Sequence, residues 1–129
     1  MTVLLDTHAL FWAVKAPDRL SAPARDVISD ASVPLLVSAA SAWEMATKHR
    51  LGRWPEISDF VRNFERKVHR LGAEPLALSV EHALAAGGLE WAHRDPFDRV
   101  LAAQAMREGI PLITKDKAFS GLPGLTTLW

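Results

Sequence analysis

Four short apolar runs limit this chain's fold more than any other feature: TVLLD, VPLLVS, EPLALS and IPLITKD. The first ends at Asp6, the second near Ser38 and the fourth near Thr114. A strand with one face in water alternates apolar and polar residues. These runs do not alternate, so both of their faces must be covered. The intervening stretches are long enough for crossover helices. Together they predict an α/β fold: a three-layer sandwich with a mainly parallel central sheet. The 129 residues fit one domain, expected to span 1–129, with roughly two thirds of the unfolded surface buried.

The stretches between the runs carry helix signals. THALFWAVK reads as a helix stopped by Pro17, and SAPARDVISDA as a second with Ser21 as N-cap. In SAWEMATKHRLG, Ser41 and Glu44 form an S-x-x-E capping box and Gly52 falls at the C-cap. EISDFVRNFERKVHRLG reads as one longer amphipathic helix, with Ile57, Phe60, Val61, Phe64 and Val68 on one side and Gly72 at its end. Ser79 caps VEHALAA, and Gly87 and Gly88 break the chain before LEWAHR. A last helix opens at DPFD and closes at Gly109, and LTTLW adds an edge strand.

Fifteen basic residues balance fifteen acidic ones. Zero net charge argues against a nucleic-acid coat protein, whose affinity comes from a basic surplus. An enzyme acting on nucleic acid remains open, because it can segregate its charges. The bases do cluster, in KHRLGR and RNFERKVHR, as solvated helix faces or as a substrate surface. No apolar run approaches the ~20 residues that span a bilayer. The N-terminal stretch lacks a basic region and is interrupted by Asp6, so no signal peptide and no membrane partner are expected. The absence of cysteine excludes disulfides and zinc–thiolate sites and agrees with a cytoplasmic location.

The acids fall where such a sheet binds ligands, outside the carboxyl ends of its strands. Asp6 ends the first strand, Glu44 opens the helix after the second, Asp95 and Asp98 open the DPFD helix, and Asp116 follows the fourth strand. Singly, most have a structural explanation: Glu44 in its capping box, Asp95 as N-cap with Pro96 at N1, Asp98 against the helix dipole, Asp116 in a turn. Jointly they do not. Unit charges about 5 Å apart at an effective dielectric of 20 repel by roughly 3 kcal/mol per pair, against a whole-domain stability of ~5–15 kcal/mol. Such a cluster calls for protonation or a hard divalent cation, and carboxylate-bound magnesium or manganese points to phosphate chemistry.

In order and spacing, LLDTHALFW, VSAASAWEMATKHRLGR, HRDPFDRVLAAQA and PLITKDKAF resemble the PIN domains, and more closely the VapC toxins of bacterial toxin–antitoxin pairs. The resemblance spans essentially the whole chain. It implies a magnesium-dependent endoribonuclease, with manganese able to substitute, that cuts RNA by metal-activated water. The family's acidic quartet carries over onto Asp6, Glu44, Asp98 and Asp116, as catalytic and metal-binding residues. Asp95 is an additional acid with a share in the metal left open. By the same resemblance, Asp6 ligates the metal most directly with help from Asp98. Glu44 and Asp116 hold bound water or a second ion, one of them as general base. A cognate antitoxin and a homodimer are the implied partners besides RNA.

Thr114 and Ser38 either hydrogen-bond the site or simply cap their strand ends. His8 is expected to be structural, and Trp12, Trp43, Phe60 and Phe64 to be core or interface. Two other readings remain. A phosphoacceptor receiver domain would use Lys115, but it needs an acidic pair at the first strand and an acceptor aspartate after a central one; here Thr7 follows a single Asp6. A catalytically inactive PIN-like module that binds RNA or protein is the second.

Overall fold

A computed structural model describes residues 1–129. The elements in chain order are β1 (Val3–Leu5), α1 (Thr7–Lys15), α2 (Ala22–Ser29), β2 (Leu35–Ser38), α3 (Ala39–Arg50), α4 (Ser58–Arg62), α5 (Phe64–Leu71), β3 (Ala73–Leu76), α6 (Val80–Gly88), α7 (Pro96–Glu108), β4 (Leu112–Ile113) and β5 (Thr127–Leu128). The five strands form one sheet in the order β3-β2-β1-β4-β5. Every pairing is parallel, with Val3 opposite Leu35 and Leu4 opposite Leu112. The expectation of a mainly parallel α/β sheet therefore holds, and the edge strand from LTTLW pairs with β4.

The two cores explain the apolar runs of β1, β2 and β4, but not EPLALS: β3 is an edge strand, and Glu74, Pro75, Ala77, Leu78 and Ser79 are exposed, so the expectation that both of its faces are covered fails there. Val3 and Leu5 point into one core, with Leu10, Met45, Ile57 and Phe60. Leu4 points the other way, onto Leu101, Ala102, Ala105 and Phe119. All three residues of β1 are fully buried, so every position of the strand must be apolar.

Several local expectations are confirmed. Ser21 caps α2 through the Ala24 amide, and Ser79 caps α6 in a reciprocal box with His82. Gly72 and Gly109 end their helices at φ 81° and 67°, a left-handed conformation that favours glycine.

Others need correction. The helix expected over EISDFVRNFERKVHRLG is broken: a 3-10 turn at Pro55–Ile57, then α4, then α5, with Asn63 at φ −121° and ψ 28° between them. The third helix begins at Ala39, capped by Ser38, so Ser41 and Glu44 lie inside it and form no capping box. β3 occupies Ala73–Leu76 rather than running to Ser79. α6 continues through Gly87 and Gly88 before it ends. No helix is long and apolar enough to cross a membrane.

The chain runs outward from β1 through β2 to β3, then returns to β4 on the other side of β1. The strand order therefore reverses between β1 and β4, the crevice where open α/β sheets bind ligands. Asp6 follows β1 and Thr114 follows β4, so both stand at that crevice.

Candidate active site

An open pocket of about 400 Å³ lies at this crevice, lined by Asp6, Glu44, Asp95, Asp98 and Asp116 together with Thr7, His8, Trp12, Lys48, Lys115 and Phe119. All five acids singled out in the sequence thus face one space. They reach it from four places in the fold: the end of β1, the interior of α3, the start of α7 and the turn after β4.

Asp6 caps α1, accepting the Ala9 amide at 2.7 Å, and is only 7% exposed. Burial pushes its carboxyl up to about 6, against the Thr114 hydroxyl and the Ala9 amide, which lower it; the charges of Asp98 and Glu44 raise it further. Asp98 is likewise pushed up to about 6, first by burial and then by Asp95 and Glu44, while its hydrogen bond to His93 opposes the shift. His93 Nε2 lies 2.7 Å from Asp98 Oδ2.

Glu44 is buried and held on both oxygens. Thr7 Oγ1 donates to Oε1 at 2.6 Å, and Lys48 Nζ donates to Oε2 at 2.6 Å. Ser41 Oγ lies 3.0 Å from the same Thr7 hydroxyl. Asp95 caps α7, accepting the Phe97 and Asp98 amides on one oxygen at 2.9 and 3.3 Å. Asp116 is exposed and caps the 3-10 turn at Lys117–Gly121 through the Ala118 amide. Its own amide donates to Thr114 Oγ1 at 3.1 Å.

The acids share a pocket without forming a closed ligand set: no three of the Asp, Glu or His groups stand close enough, as arranged, to hold an ion. The reason is visible in their bonds. Glu44 is turned to Lys48 and Thr7, Asp98 to His93, and Asp116 to its own turn. The donor chemistry nevertheless suits a hard divalent ion, because the available groups are carboxylate oxygens, and in Asp6 and Asp98 burial first, then neighbouring negative charge, disfavours the ionised form.

The loop that carries His93 and Asp95 is anchored by a residue the sequence did not single out. Arg99 donates to the carbonyls of Leu89, Trp91, His93 and Ala86 at 2.7 to 3.0 Å, and to Gly87 at 3.5 Å. Its guanidinium covers the C-terminal end of α6 and ties the following loop to α7. Thr7 and Lys48 were also missed. The i,i+4 spacing of Glu44 and Lys48 was the available signal for the second. Ser38 does not reach the pocket: it is fully buried, with its hydroxyl on Gln104 Oε1 at 2.5 Å. Trp43 is 53% exposed and edge-on to Phe97 at 4.6 Å, so of the expected core or interface role only the interface is left to it. Phe60 is fully buried as expected.

A wholly parallel α/β sheet with a carboxylate-lined pocket at its switch point defines a class of protein suited to handling a hard cation and the anion it attracts. The chain belongs to the PIN domain family, whose model matches residues 3–125. It is 30% identical over 133 aligned residues to Ribonuclease VapC22 of Mycobacterium tuberculosis, covering 99% of this chain and 98% of that protein. In fold it is similar to VapBC2 from Rickettsia felis bound to a DNA fragment from their promoter, with a TM-score of 0.70 at 15% identity over 99% of this chain and 98% of that one. A toxin–antitoxin complex from Klebsiella pneumoniae matches with a TM-score of 0.64 at 18% identity, over 97% and 96% of the two chains.

Proposed function

We propose that this chain, a VapC-type ribonuclease toxin, cleaves RNA phosphodiester bonds at the Asp6–Glu44–Asp98–Asp116 pocket with magnesium as its cofactor. The observation that carries the reading is the meeting of carboxylates from four separate elements at the β1/β4 switch point. Asp6 and Asp98 are the residues that would hold the ion, since their charges are the least tolerated without one. When bound, the ion would supply positive charge to the scissile phosphodiester and a water of lowered pKa.

The remaining steps belong to the chain. Glu44 or Asp116 accepts the proton of the attacking water. Thr7 and Lys48 fix the Glu44 carboxylate, so its two oxygens cannot rotate freely. Asp95 contributes mainly by starting α7, which places Asp98 on its first turn. Arg99 holds the loop before it.

The same acidity defines the expected protein partners. A carboxylate pocket attracts any cation, so an antitoxin that blocks it is expected to present a basic side chain, arginine fitting best because it bonds carboxylates bidentately. Val80 and Leu84, one turn apart on α6 and 77% and 73% exposed, support the reading of a homodimer.

The inactive-module reading draws on one observation, the Lys48 ammonium seated 2.6 Å from Glu44. A cleavage assay separates the two. Purified protein is incubated with total cellular RNA, with magnesium, with EDTA, and with magnesium restored. Cleavage that disappears and returns supports the nuclease; RNA left intact throughout supports the inactive module, and cleavage that survives rigorous chelation sinks the metal mechanism. Expressed alone, the chain is expected to arrest growth, and Asp6→Asn to relieve the arrest.

A further inference from the structure

The pocket has a wall that the acid chemistry does not use. His8 follows Thr7 on the first turn of α1, and its ring stacks on Trp54 with centroids 4.8 Å apart and planes at 17°. Trp54 is buried in the core, which fixes the ring beneath His8. His8 itself stays exposed and lines the pocket beside Asp6 and Glu44. Trp12 stands tilted to it at 5.6 Å and 54°, bounding the same wall. Lys115 Nζ sits 5.8 Å from the Trp12 ring and pairs with no carboxylate, so its charge is free for an anion.

We propose that His8, backed by Trp54, is a base-stacking platform that seats the nucleobase next to the scissile phosphate, while Lys115 engages the adjoining phosphate. The inference rests on the RNA-cutting reading and deepens it. Every base offers a π-face, so an aromatic ring beside a cationic group holds single-stranded nucleic acid with little regard for sequence. Stacking rewards a ring that does not have to be ordered on binding, and the parallel contact with buried Trp54 supplies that order. In a duplex the bases are already stacked on each other and cannot reach such a ring, so the platform selects single-stranded RNA.

The test compares two fluorescein-labelled hexamers by anisotropy in calcium buffer: 2′-O-methyl hexauridylate and a matched hexamer with abasic sugars. Wild type is expected to bind the base-bearing probe about tenfold more tightly than the abasic one. His8→Ala should shrink that gap to less than about twofold while leaving the abasic affinity unchanged, because only the stacked base is lost. His8→Phe keeps a flat ring and should keep the gap. Melting curves establish that both variants fold. The proposal is overturned if wild type shows no base-dependent gap, if His8→Ala weakens both probes equally or neither, or if His8→Phe behaves like His8→Ala. A wild-type protein that shows the gap but leaves cellular RNA intact with magnesium would contradict the nuclease reading and leave the platform standing.

Discussion

Asp6→Asn should make the cation-free protein more stable, although it removes a residue proposed to hold the ion. The folded carboxyl is held at about 6 against an ordinary 3.8. At ~1.4 kcal/mol per pKa unit, ionising it costs the fold about 3 kcal/mol at neutral pH. Asparagine carries no charge, and its side-chain oxygen can still accept the Ala9 amide that caps α1. Part of the gain is lost because the new amide is itself buried, so a rise of roughly 5–10 °C in Tm is expected for a chain of this size.

The pH dependence fixes the cause. Because the folded pKa lies above the unfolded one, the native state holds the extra proton between about pH 4 and pH 6. Wild-type stability from this group is therefore full below about pH 4, declines as pH rises to about 6, and is level above. The assay is thermal unfolding in EDTA across that range for both proteins. Their curves should separate at pH 7 and merge at pH 4. An Asp6→Asn protein that is less stable than wild type in EDTA, or equally more stable at both pH values, would show that the buried Asp6 charge does not destabilise the fold.

The two acids of DPFD should separate by role. Asp95→Asn keeps the α7 cap and should leave melting almost unchanged, with cleavage only modestly lower, whereas Asp98→Asn should fold, melt no lower than wild type in EDTA, and cleave RNA more slowly by orders of magnitude; equal loss of activity in both would make Asp95 part of the metal site. Arg99→Ala strands the carbonyls of Leu89, Trp91 and His93 and should cost about 2–4 kcal/mol in urea unfolding. Arg99→Lys should recover less than half of that, because one ammonium cannot replace a fork that reaches four carbonyls within 3.0 Å.

The centre of the sheet was legible because burial on both faces leaves a direct mark: VLL of β1 and LLV of β2 have no polar position to spare. The convergence of Asp6, Asp95, Asp98 and Asp116 was legible because each sits just beyond a strand or at a helix start, and a parallel sheet sends all such points to one edge. The break at Asn63 was not legible, because Phe60, Phe64 and Val68 keep a helical period across it while the backbone departs from it. Glu44 departs from its local signal. The S-x-x-E pattern is a sound cap signal in general, but here β2 runs into α3 with no loop, so Ser38 takes the cap and Glu44 is left inside the helix. What holds Glu44 is Thr7, 37 residues away in sequence, and no local pattern carries that contact. The His8–Trp54 stack is hidden likewise, because His8 and Trp54 lie 46 positions apart and no local pattern links them.

If these carboxylates form a cation site that drives RNA cleavage, losing one of them must weaken both ion binding and the reaction. Manganese binding followed by electron paramagnetic resonance at pH 7, on wild type, Asp6→Asn and Asp98→Asn, tests it most directly. Binding to wild type should be saturable, dissociation constants at least about tenfold weaker in both variants, and RNA cleavage should rise in step with manganese occupancy. Equal binding by all three proteins, or cleavage at full rate with no manganese bound, would contradict it.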